Sequence, residues 1–279
     1  MHVSTASLCV LLATAMSASA LHAEPVVTDQ VEVELLSEYS SIAPGQNAWL
    51  GLHFKHAPEW HTYWINPGDS GLPTKLTWTL PPGYKASEIA WPTPKRFQVG
   101  DLYNFGYDGD TLLPVPIAVP ADAAVGSMAQ FGVEAKWLVC HEECIPGKAT
   151  LRIELPVAAA AKLDSAVAMR FAAAQAAVPP DSAQSATAHL AGDRIEVAIG
   201  GVNPHRPPTD AFVRQTKVVA YAPPKIDWRD GKLVLTFAKS DYFASAPDHL
   251  ELLLINNAAH ASLIQASFTP TPSPRPSTP

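Results

Sequence analysis

Cys140-His141-Glu142-Glu143-Cys144 sets two thiols four residues apart, with an imidazole and two carboxylates between them. If the segments on either side pair antiparallel, both cysteines fall at a hairpin tip, where their Cα atoms approach disulfide distance. Such a pair serves as a structural staple or as a site of reversible thiol–disulfide exchange, and the spacing admits both. As a staple it closes a loop of only five residues, which on the chain-entropy view stabilises by about 2 kcal/mol. As a redox pair it needs an exposed sulfur and a partner that exchanges with it. Glu142 and Glu143 push a neighbouring thiol pKa up, so activation has to come from elsewhere.

A second group is Trp60-His61-Thr62-Tyr63-Trp64, four ring residues in five positions. One strand face cannot bury them all, because alternate side chains point opposite ways, so some of them are expected to line a surface or a site. A third runs from Trp91-Pro92-Thr93-Pro94-Lys95-Arg96-Phe97 through Asp101-Leu102-Tyr103-Asn104-Phe105-Gly106-Tyr107-Asp108-Gly109 and reads as a long aromatic loop. Long loops in compact domains often act as lids. Metal binding is the competing chemistry: His53, His56, His61 and His141 with the two thiols are donors a copper or zinc site could use. Exposed histidines on strands are common, and we assign neither metal nor cofactor. No Ser/His/Asp order, phosphate-cradling glycine loop or basic patch stands out.

The elements that position these residues follow from composition and pattern. The chain has 279 residues, 47% of them hydrophobic and 16% charged, enough for a packed core. A net charge of −7 argues against nucleic acid as a partner. The 27 prolines exclude a helical bundle, because proline interrupts helices. Residues 1–23 read as a secretory signal peptide: an uncharged apolar run ending in small residues. Its removal takes Cys9 and leaves two cysteines, with Met128 and Met169 as the remaining methionines. No later segment reaches the roughly 20 apolar residues of a membrane helix.

Residues 24–157 break into short strands separated by Gly/Pro turns, the pattern of a β-sandwich. Strands are expected at 31–35, 49–54, 75–80, 112–119, 131–139 and 149–155, with the one holding Pro114 and Pro116 on an edge. Residues 158–177 are Ala-rich and Pro-free, with Leu163, Val167 and Phe171 at helical spacing, so a helical linker is expected over 158–180. A second small β unit follows over 181–268, with strands at 194–199, 218–221, 250–255 and 262–268. Asp230-Gly231 in this unit marks a hairpin. The Pro/Ser/Thr-rich stretch 269–279 reads as a disordered tail.

The run from Trp60 through Pro67-Gly68-Asp69-Ser70-Gly71-Leu72-Pro73, then Trp91 to Arg96, Phe105-Gly106-Tyr107, and Trp137-Leu138-Val139-Cys140 to Cys144-Ile145-Pro146-Gly147 resembles the periplasmic amino-terminal domain of the DsbD/ScsB thiol:disulfide interchange family. The ScsB-like branch is the nearer likeness, over about residues 30–157. The resemblance implies a mainly β, immunoglobulin-like sandwich in the periplasm that relays electrons to partner thiol proteins. Cys140 and Cys144 would be the redox pair, with Cys144 forming mixed disulfides and Cys140 resolving them. Phe97, Tyr103 and Phe105 are the candidates for an aromatic cap, and His61, Tyr63, Trp64 and His141 for lining the pair. The chain carries no membrane segments and no thioredoxin-like C-x-x-C. The resemblance therefore implies thioredoxin-like periplasmic partners and a separate membrane electron donor of the DsbD/CcdA type. Assignment as a thiol-disulfide oxidoreductase depends on the pair being redox-active. The alternative is a non-catalytic immunoglobulin-like binding module with a structural disulfide, linked to copper tolerance.

Overall fold

The computed structural model describes residues 21–22, 24–257 and 260–269. The expected signal peptide, apart from Leu21–His22, and residues 270–279 of the expected tail lie outside the described residues.

Nine main strands build the first unit: β1 Val31–Ser37, β2 Asn47–His56, β3 His61–Gly68, β4 Lys75–Thr79, β5 Lys95–Val99, β6 Leu102–Asp108, β7 Asp110–Ala118, β8 Met128–Cys140 and β9 Cys144–Pro156. One sheet runs β9-β8-β3-β6-β5, with β4 also on β8, and the other runs β1-β2-β7. Period-two alternation drives the two sheets together. Val31, Val33 and Leu35 of β1 meet Phe131, Val133 and Ala135 of β8 in a single core. Each large apolar side chain buried there adds about 1.5–3 kcal/mol of transfer free energy.

Proline shapes the margin of the second sheet. β7 pairs with β2 along its whole length, while Lys85–Ala86 covers its other side only at Ile117 and Ala118. Pro114 and Pro116 have no N–H to offer there, and their carbonyls accept from the backbone N–H groups of Ala90 and Ser87 at 2.8 and 2.9 Å. A nearly bare edge thus tolerates both prolines.

The helix is shorter than the composition suggests. Only Ala168–Ala176 (α1) is helical, and Lys162–Leu163 instead pairs as a short strand with Tyr39–Ser41. Asp164 halts the helix upstream, its carboxylate accepting from Ala166 N–H at 3.0 Å. Phe171 on α1 is fully buried against Leu36 and Leu112, so the segment is docked on the first unit.

The second unit is one seven-stranded sheet of β10 Ala186–Ala191, β11 Arg194–Ile199, β12 Asp210–Val213, β13 Lys225–Arg229, β14 Lys232–Ala238, β15 His249–Asn257 and β16 His260–Phe268. Its order is β12-β15-β16-β10-β11-β14-β13. Asp230 and Gly231 turn the β13–β14 hairpin with φ of 51° and 72°, the pair of positive values a two-residue hairpin needs. The strand expected over 218–221 reduces to a single bridge, Val219 to Lys239. β15 is apolar without alternation because both its faces are covered. Leu252 and Leu254 fill the second unit's own core, whereas Leu253 and Ile255 pack with the first unit's core.

Candidate functional site

The longest ladder among the described residues ends at the cysteines. β8 and β9 pair residue for residue from Met128 and Pro156 up to Cys140 and Cys144, and His141-Glu142-Glu143 closes the hairpin. The facing Cα atoms stand 4.2 Å apart and the two sulfurs are joined in a disulfide. The sheet makes the two cysteines unequal. β8 lies inside it, with Cys140 paired on its other side to His61 of β3, so Cys140 is 2% exposed. Leu21–His22 covers the outer edge of β9 only at its far end, at Ile153 and Glu154, and Cys144 is exposed.

The groups around the pair come from β3 and β5. Tyr63 donates its hydroxyl hydrogen to Cys144 Sγ at 3.5 Å. Burial pushes the Tyr63 phenol pKa up, so the hydroxyl keeps its proton. Gly71 leaves room for its ring: a Cβ at that position, where φ is +99°, would lie 2.2 Å from Tyr63 Cε1. Gly147 likewise leaves room for Trp137, since a Cβ there would lie 2.2 Å from the indole ring. The glycines that close these two motifs thus have steric reasons.

His61 is buried at 3% exposure, stacked on Phe97 with ring centroids 4.5 Å apart and set edge-on to Tyr63 at 5.2 Å. Loss of water brings its pKa down to about 4, with His56 adding to the shift. The ring is therefore neutral at ordinary pH, and among the described residues its Nε2 has no hydrogen-bond partner. His141 is half-buried in the hairpin loop, 6.0 Å from the Trp60 ring.

Strand alternation separates the remaining candidates. Trp64 projects to the opposite face of β3 from Tyr63 and packs with Phe105 and Phe212. Phe105 lies in that same cluster, 4.6 Å from Phe212, so neither Trp64 nor Phe105 joins the rings beside the cysteines. Tyr103 is half-buried, 5.8 Å from the Arg96 guanidinium. Of the three cap candidates, Phe97 is the one stacked against the site. The stretch expected as an aromatic loop is instead mostly the β5–β6 hairpin, turning at Gly100 with φ of +60°.

The four histidines do not converge. His53 lies between Glu34 and Asp110 at 2.8 and 3.0 Å, and His56 is bound to the Gly109 carbonyl and the Thr62 hydroxyl at 2.8 and 3.0 Å. Among the described residues no group of three or more His, Cys, Asp or Glu side chains is placed to hold a metal.

Residues 31–156 match the family described as thiol:disulfide interchange protein DsbD, N-terminal. The first β unit is a DsbD/ScsB-like amino-terminal domain. Among solved structures, the N-terminal periplasmic domain of ScsB from Proteus mirabilis is similar at 16% identity and a TM-score of 0.65, covering 88% of this chain and 96% of that one. At that coverage the DsbD-like unit and the sheet that follows it share one overall fold with the ScsB domain, mainly β and immunoglobulin-like. A protein of unknown function from Porphyromonas gingivalis (14% identity, TM-score 0.23, 84% and 99% covered) and the sporulation control protein of Bacillus subtilis (9%, 0.24, 86% and 84%) are too distant to inform the fold. No curated protein sequence matches the chain.

Proposed function

We propose that the protein is an exported thiol:disulfide interchange protein that passes electrons through Cys140 and Cys144. The observation that carries this reading is the inequality of the two sulfurs: Cys144 is open to a partner and hydrogen-bonded by Tyr63, while Cys140 is buried behind it. In the reduced state the Cys144 thiolate attacks a partner disulfide, forming a mixed disulfide and expelling one partner thiolate, which takes up a proton. The Cys140 thiolate then attacks Cys144 Sγ. The bond to the partner breaks, the second partner thiolate is released and protonated, and the Cys140–Cys144 bond remains. Two electrons and two protons have then passed to the partner. Tyr63 supports the first step, because a hydroxyl that keeps its proton stabilises the thiolate form of Cys144.

The cycle is recharged by the reverse reaction with a reduced thioredoxin-like dithiol, itself served by a separate membrane donor of the DsbD/CcdA type. The family match and the likeness to a periplasmic domain support this placement. The apolar leader in the sequence agrees with it, and no described helix is long and apolar enough to cross a membrane. The test is trapping. A Cys140→Ala variant offered an oxidised thioredoxin-like protein is expected to form a covalent complex that dithiothreitol releases, whereas Cys144→Ala forms none. A complex from Cys144→Ala alone, or from neither variant, would overturn the assigned roles.

A further inference from the structure

β5 has two faces with two different attachments. Phe97 points to the cysteine side and stacks on His61, the residue paired with Cys140. Its neighbour Arg96 points the other way, into the second β unit. There the Arg96 guanidinium takes Asp210 of β12 in a fork, Nε to Oδ2 at 2.9 Å and Nη2 to Oδ1 at 2.7 Å. It also donates to the carbonyls of Ala211 and Tyr221, and lies 4.9 and 4.8 Å from the ring centres of Phe105 and Phe212. The arginine side chain is 11% exposed, so water screens this contact little.

A second tether lies on another strand of the site: Asn66 of β3 donates to the carbonyl of Val213, also on β12, at 2.7 Å. By contrast, β5 has little else to hold it. Among the described residues it is the outermost strand of its sheet, paired only with β6, and its turn at Gly100 and Asp101 is exposed. An edge strand held on one side opens locally more readily than a central one.

We infer that the second β unit acts as a clamp on the redox site: Asp210 holds Arg96, and through β5 keeps Phe97 seated on His61, setting how readily the bond opens on its buried Cys140 side. Arg96 and Asp210 are then positioning residues, and Phe97 is the ring they hold against His61. The inference rests on the exchange reading above for its function, but its geometry and its test stand apart from any natural partner. It also gives the appended sheet a role at the cysteines, on which none of its own described side chains is shown to act.

The test is the rate at which dithiothreitol reduces the disulfide of the full chain in native buffer, followed by quenching and thiol alkylation. Asp210→Asn removes the charge that holds the fork. Losing hydrogen bonds of this kind favours the open strand roughly fivefold or more, so reduction is expected to accelerate by roughly that factor, while Asp210→Glu stays near the wild-type rate. Phe97→Ala is expected to accelerate reduction as well, and adding Asp210→Asn to it to give no further gain. A merely structural loss of stability would multiply with Phe97→Ala instead of disappearing behind it. Should Asp210→Asn fail to fold, Arg96→Lys tests the same fork, keeping the charge and losing the bidentate geometry. An Asp210→Asn rate equal to wild type, or two effects that simply multiply, would overturn the clamp. Dithiothreitol reduces the bond whatever the natural partner is, so these results are independent of the trapping experiment, which alone decides the exchange reading.

Discussion

Eight of the nine buried polar side chains among the described residues lie between Ser37 and Asn104 in the first β unit, and one, Ser240, lies in the second. The first unit threads His53, His56, His61, Thr62 and Asn66 through its interior, and even leaves His61 Nε2 without a partner. The second is filled by Ile195, Val197, Leu233, Leu235, Leu252 and their aliphatic neighbours. Burying polar groups costs stability unless each is hydrogen-bonded, so the units divide the labour. One carries a polar interior, with His61 of that set beside the disulfide, and the other supplies mainly aliphatic packing and a surface that holds the first.

The largest expected effect that separates the two regions is on stability. Leu235→Ala empties a fully buried site in the second core and is expected to cost about 2–5 kcal/mol. The reduction potential of the cysteine pair should stay where it was. Denaturant unfolding and a thiol-redox titration of the same variant check both halves. A shifted potential would mean that the second core reaches the site by more than a surface clamp.

Much of this division was legible in the sequence, and the exceptions have physical causes. The alternating strands, the Asp230-Gly231 turn and the hairpin bearing both cysteines all follow from local pattern. Residues 158–177 look helical by composition, but Asp164 and the pairing of Lys162–Leu163 to Tyr39–Ser41 confine the helix to Ala168–Ala176. Trp64 and Phe105 resemble Tyr63 and Phe97 in composition, and only strand register assigns them to the opposite face. Arg96 stood in a motif but gave no sign of its partner, because Asp210 lies 114 residues further on. Gly71 carried a signal that was there to be used: a glycine closing a Pro-Gly-Asp-Ser turn beside packed aromatics marks a close approach.

A smaller effect tests the cost of the polar interior. His61 titrates at about 4 in the folded protein, below its ordinary 6.5, because burial disfavours the imidazolium. As pH falls below 6.5 the unfolded chain binds the proton first. His61's penalty is therefore absent above that value, grows between 6.5 and 4, and levels off below, reaching roughly 3 kcal/mol. His56 is displaced in the same direction, also by burial. Urea unfolding at pH 7 and pH 4 is expected to show wild type losing more stability on acidification than His61→Phe, by up to that amount. Equal losses would mean that His61 is better solvated than its burial implies.

The central claim is that Cys140–Cys144 is a working bond and not a staple, and its reduction potential is the most direct measure. Equilibration of the full chain in glutathione and dithiothreitol buffers, with alkylation to count free thiols, gives that value. The account predicts a potential above about −300 mV, where cellular dithiols can exchange with the pair. A potential well below that would mark a structural disulfide and contradict the account.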